Sequence, residues 1–204
     1  MERLNKPIIM TAEMGKTEFA WADGLRKRYF PPERNMVSAH ITLFHHLPPQ
    51  ALDEIKSSVV ALTAGLPKPE AHLSGLIHLG RGVAYRLHAP ELLSLRMELA
   101  DRFAGLLIAQ DQQTPRLHVT VQNKVAPREA QRLFDELSAA FEPRPFTIRG
   151  IGLHYYVEGQ WQNIGIWPFR GRYRTPTSLI GISVLTSSSL SRFNPSTTAL
   201  RPCT

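Results

Sequence analysis

Cysteine is almost missing from this 204-residue chain: the only one, Cys203, stands one position before the end. That excludes a disulfide framework and a thiolate metal cluster. Long hydrophobic runs are missing too, and none approaches the roughly 18 residues of a membrane-spanning helix. The first residues lack the continuous apolar stretch and small-residue cleavage site of a secretion signal, so a cytoplasmic protein with no membrane role is expected. No Walker-type loop, G-x-S-x-G elbow or H-E-x-x-H pair occurs, which removes several common catalytic designs. Acidic residues are missing from 171–204, a stretch with four arginines and 13 serines or threonines. We expect it to form a poorly ordered tail, although 178–185 has the look of a strand. Of the formal charge of +7, that tail carries +4; residues 1–170 hold 20 basic and 17 acidic side chains. Such a mild excess suits a phosphate-bearing ligand but not a broad nucleic-acid coat.

What is present is a regular alternation of elements. Apolar density predicts a strand over 7–14, and helical spacing of Phe19, Trp21, Leu25 and Tyr29 predicts a helix over 18–31. A strand over 38–48 ends at Pro48–Pro49, followed by a helix over 51–67 and a hairpin over 71–90 turning at "GRG". Then come a helix over 91–106 marked by Pro90, a strand over 116–127, a helix over 127–142 and a hairpin over 145–169 turning at "EGQ".

Within this order a unit occurs twice. "HITL" at 40–43 opens a strand followed by a helix and a hairpin, and "HVTV" at 118–121 opens the same succession. The repeats run over about 38–90 and 116–169, inside one bilobal domain over 1–170. Two copies most naturally face each other about an approximate twofold axis, each lobe placing one histidine strand on the cleft. The expected fold is α+β, with antiparallel-rich sheets.

Strand geometry puts residues i and i+2 on one face, so His40 points with Thr42 and His118 with Thr120. Leu117, Val119 and Val121 form the core face of the second strand; Ala39, Ile41 and Leu43, then His45, form that of the first. Two facing imidazoles make an acid/base pair that can work near neutral pH. A threonine two residues on supplies a short, stiff hydroxyl able to donate to a phosphate oxygen. Together they suit in-line displacement at phosphorus without a metal.

The paired H-x-T strands in duplicated strand–helix–hairpin units resemble the 2H phosphoesterase superfamily, and within it the RNA 2′,3′-cyclic phosphodiesterases, also called the 2′-5′ RNA ligase family. The likeness covers about residues 7–169. It implies a bilobal α+β fold around a groove and no cofactor. The implied activity is metal-independent opening of 2′,3′-cyclic phosphates to 2′-phosphates, with reversible 2′-5′ ligation in some members. His40 would then protonate the leaving 3′ oxygen, His118 would activate water, and Thr42 and Thr120 would hold phosphate oxygens. The ligands would be RNA ends or small nucleotides bearing a cyclic phosphate, bound by a monomer that needs no protein partner.

One departure matters: members often continue the first motif to an aromatic sixth residue, whereas here the aromatic is the fifth, Phe44, and the sixth is His45. By alternation Phe44 shares the His40 face and is a base-stacking candidate, and His46 lies on that face too. Arg116 and Lys124, on the His118 face with Gln122, are candidate phosphate contacts. His72, His78, His88 and His154 read as structural or exposed, and Trp161 and Trp167 as core. Alternative readings are a phosphodiesterase acting on 2′-5′ oligonucleotides or another cyclic phosphate, and a non-catalytic module that binds RNA ends or nucleotides.

Overall fold

The computed structural model describes residues 6–173; the expected tail from 174 onward, with the strand expected at 178–185, lies outside them. Eight strands and four α-helices follow one another as β1 (Ile8–Met14), α1 (Lys16–Tyr29), β2 (Ile41–Leu47), α2 (Leu52–Gly65), β3 (His72–His78), β4 (Val83–His88), α3 (Pro90–Arg102), β5 (His118–Gln122), α4 (Pro127–Ala139), β6 (Arg144–Pro145), β7 (Ile148–Val157) and β8 (Gln160–Pro168). Only the two-residue β6 had no counterpart in the sequence reading. Local chemistry sets the boundaries. Pro90 and Pro127 each occupy a first helical position, where the missing N–H costs nothing. In the β7–β8 hairpin, Glu158 and Gly159 both take positive φ, as a tight two-residue turn demands.

The strands form two antiparallel sheets in the orders β2-β1-β7-β8 and β5-β4-β3-β6. The sheets do not coincide with the two sequence repeats. β2 shares a sheet with the hairpin of the second repeat, with β1 between them, while β5 pairs directly with the hairpin of the first. Self-similarity finds the unit, but strand pairing decides which copy each strand sits with, and here the copies interleave. One continuous apolar core runs through both sheets, from Ile8 and Met10 to Val119 and Leu133.

Both histidine strands are edge strands, and the sheets approach each other along them. An edge leaves backbone carbonyls without a ladder partner. Two buried arginines meet that need in related ways. Arg26 of α1 donates to the Thr120 carbonyl of β5 at 3.1 Å, and its guanidinium stacks on Phe30 at 4.0 Å. Arg96 of α3 donates to the Leu43 carbonyl of β2 at 3.3 Å and stacks on Phe44 at 4.3 Å. Burial lowers the pKa of Arg26 to about 10, opposed by the charge of Asp23, so it stays cationic at neutral pH.

β2 is not a regular strand. Thr42 lies opposite Thr11 and Phe44 opposite Met10, while Leu47 lies opposite Ile8, with two register shifts between. Six residues of β2 therefore match four of β1, and the excess bulges. A bulge re-aims every side chain beyond it.

Candidate active site

Residues from both edge strands line one cavity of about 490 Å³: His40 and Thr42 from the first, His118 and Thr120 from the second. Its size is within the usual range for small-molecule sites. The two histidines are held alike. His40 Nδ1 lies 2.8 Å from the Ser38 carbonyl, and His118 Nδ1 lies 2.6 Å from the Arg116 carbonyl. A carbonyl can only accept, so each Nδ1 carries a proton and donates it. Each ring is thereby fixed in one tautomer, with Nε2 left for chemistry. The tether reaches two residues back along the chain and comes with the extended approach to each strand.

The surroundings differ. Burial pushes the His40 pKa down to about 4; the Ser38 hydrogen bond works against this, and the charges of Arg26, His118 and His154 add to the depression. His40 is neutral at pH 7 in the free protein. The Trp161 ring lies 4.5 Å from the His40 ring, centre to centre, and His154 stacks on Trp161 at 5.3 Å. His154 Nε2 is 3.1 Å from the Thr11 hydroxyl, which donates to Glu13 at 3.1 Å. Glu13 also faces Arg149 at 3.7 Å. Burial alone would raise the Glu13 pKa, but hydrogen bonds from His154 and Thr11 and the charges of His154 and Arg149 bring it below its ordinary value. Gly152 makes this cluster possible, because a Cβ there would collide with Glu13, Thr11 and His154. These residues line a second cavity of about 480 Å³, which shares His40 and Trp161 with the first.

The remaining sequence candidates divide. Arg116 is exposed and lines the first cavity. Phe44, expected beside His40 as a base platform, is a correction: it is 0% exposed and sits in the core under Arg96. The bulges in β2 break the alternation on which its placement rested. His45, assigned by that alternation to the core face, lines the cavity instead, and the exposed His46 does not. Lys124 is a second correction. It lies beyond the end of β5 with φ of 63°, is exposed and lines neither cavity. Gln122 is buried, with its amide nitrogen toward Glu129.

Sequence reasoning missed Trp161 and His154. Trp161 is the second residue of β8, just past the hairpin turn, and nothing local marks it as facing His40. Among the described residues no three His, Cys, Asp or Glu side chains converge as a metal site would require, and no helix is long and apolar enough to cross a membrane.

Two antiparallel sheets meeting at edge strands that each present a tethered histidine and a threonine define a 2H phosphoesterase-type architecture. The family model of the 2′-5′ RNA ligase superfamily matches residues 16–160, and the chain belongs to that superfamily. Among solved structures, a protein of Thermus thermophilus shares the fold with a TM-score of 0.58 at 16% identity, covering 82% of this chain and 100% of that one. LigT of E. coli, in its complex with 3′-AMP, gives 0.53 at 14% identity over 80% of this chain and 98% of its own. Its complex with NADP+ gives 0.51 at 14% identity, over 80% and 97%. None of the curated proteins matches the chain. Membership points to a phosphoesterase or 2′-5′ RNA ligase-like enzyme.

Proposed function

We propose that the protein opens 2′,3′-cyclic phosphate ends of RNA or nucleotides to 2′-phosphates, with His40 and His118 as the acid/base pair. The observation that carries this reading is the pair of Nδ1–carbonyl tethers, which leave two Nε2 atoms on the walls of one cavity together with two threonine hydroxyls. The phosphate sits between the edge strands, its oxygens accepting from Thr42 and Thr120. His118 takes a proton from water through Nε2. The resulting hydroxide attacks phosphorus, the bond to the 3′ oxygen breaks, and His40 Nε2–H protonates that oxygen. The 2′ ester bond remains. In ligation a 5′-hydroxyl attacks in place of water and a 2′-5′ diester forms in place of the monoester, by the same proton movements; their reversal, with the 3′-hydroxyl attacking, cleaves the 2′-5′ bond back to the cyclic phosphate.

The depressed pKa of His40 fits this role only with substrate present. A phosphate anion beside the ring offsets the neighbouring positive charges and favours the imidazolium. Substrate binding should therefore take up a proton at His40. The second cavity, on the other side of His40 and Trp161, favours a second reading in which a 2′-5′ phosphodiester between two nucleosides is also a substrate.

The test is hydrolysis in EDTA of a 2′,3′-cyclic mononucleotide and of a 2′-5′ dinucleotide by wild type, His40→Ala and His118→Ala, with the product isomer identified. Turnover to the 2′-phosphate, lost in both variants, supports the first reading, and dinucleotide cleavage adds the second. No turnover of either substrate, or of a short RNA with a cyclic end, leaves a non-catalytic binder.

A further inference from the structure

The cavity holds a third histidine that the acid/base scheme does not use. His45 lines the same wall as His40 and Thr42, brought there by the bulges of β2. Asp111, only 1% exposed, fixes it from behind. Its carboxylate accepts from the His45 backbone N–H at 2.9 and 3.0 Å, from the His46 N–H at 2.9 Å and from His45 Nδ1 at 3.0 Å. Arg96, itself fully buried, donates to the Asp111 backbone carbonyl and so anchors the same turn. The imidazole thus has one nitrogen committed to Asp111, while Nε2 takes no hydrogen bond from the described residues. Such a dyad orients a ring firmly toward a ligand.

Position and charge indicate the ligand. The register with β1 compresses β2, so His45 stands only about two strand steps from Thr42, roughly 7 Å along the sheet. That is the scale of one nucleotide of a single strand. Asp111 is the one carboxylate among the described residues lining this cavity, and both its oxygens are committed to His45 and His46. The adjacent Arg96 guanidinium offsets the Asp111 charge, and the exposed Arg116 lies on the same cavity.

We propose that His45 contacts the phosphodiester adjoining the reacting phosphate, so that the cleft receives the end of an oligonucleotide rather than a lone nucleotide. This rests on the reading above in taking the reacting phosphate to lie at Thr42, but it concerns binding and not turnover.

The test uses the full chain and two probes, a trinucleotide ending in a 2′-phosphate and the corresponding mononucleotide 2′-phosphate. Affinities are measured by fluorescence anisotropy and competition over a range of salt. Wild type should bind the trinucleotide about tenfold more tightly than the mononucleotide, the scale of one charge-assisted hydrogen bond. In His45→Ala that advantage should vanish at every salt concentration. The same outcome in His45→Leu would guard against an effect of the lost volume. An advantage that survives both substitutions, or equal weakening of both probes, would overturn the proposal. Hydrolysis of the cyclic mononucleotide, assayed in parallel, reports separately on the catalytic reading: a protein that turns nothing over yet loses its trinucleotide preference in both variants refutes that reading and upholds this one.

Discussion

The two histidine strands carry the same motif and the same Nδ1 tether, yet they sit in unlike places. β5 is a short, nearly regular edge whose apolar face, Val119 and Val121, is fully buried. β2 is bulged twice and clamped by Asp111, and its His40 is walled by Trp161, on which His154 stacks. The difference teaches that duplication can supply a symmetric pair of groups while their surroundings diverge, burial holding the pKa of His40 down. The acid and base roles proposed for the pair draw on that asymmetry, because two identical imidazoles would titrate together.

The largest test of the pairing is to remove each half. His118→Ala and His40→Ala should each lower kcat by about 10² to 10⁴, the usual contribution of one acid or base. The double variant should be little worse than the worse single one, since neither group works alone. Steady-state kinetics on a cyclic mononucleotide checks this, and additive losses would break the pair. Next come the hydroxyls. Thr42→Val and Thr120→Val should each cost roughly 10² in kcat, the lower end for losing one donor to a developing charge. A large loss at one threonine and none at the other would show that a single strand carries the phosphate.

The asymmetry also predicts a pH dependence of stability. The folded pKa of His40, about 4, lies below the unfolded value of about 6.5. The unfolded chain therefore binds a proton that the folded one refuses. His40's share of stability is complete above pH 6.5 and is lost as pH falls toward 4, reaching about 3 kcal/mol. Glu13, Asp23 and Asp111 have pKa values lowered from ordinary carboxylate values, so their losses fall below about pH 4.5. Denaturant unfolding between pH 7 and 5 thus isolates the histidine. His40→Gln should flatten that segment, and an unchanged slope would refute the assignment. The smallest effect concerns the wall. Trp161→Leu should partly hydrate His40 and move its pKa up toward 6.5, as histidine NMR titration would show. Addition of a 2′-phosphate product to wild type should shift His40 in the same direction. If neither shifts it, burial by Trp161 and the phosphate are not what set its protonation.

Legibility followed the range of the interactions. Prolines and apolar periodicity act within a few residues, so all four helices and seven of the eight strands were readable, and Thr42 and Thr120 were placed with their histidines. Face assignment held for β5 from His118 to Val121; Gln122, next to a register shift against β4, is buried instead of sharing the His118 face. The assignment failed for β2 beyond Leu43, which sent Phe44 to the cavity and His45 to the core when the reverse is true. Lys124 failed for a related reason, since alternation was extended past the end of the strand into a residue of positive φ. His154 and Trp161 carried no local signal, because their place beside His40 depends on β7 and β8 joining the sheet of β1 and β2.

The sequence by itself determined the order of elements, the duplicated unit and the two H-x-T strands, because backbone propensity, turn residues and hydrophobic period are properties of short segments. Only the tertiary structure decided that the repeats interleave, that β2 bulges against β1, and that His40 is desolvated by a tryptophan 121 positions away in the chain. Register and burial are set by the partner strand, and a strand does not encode its partner in its own residues.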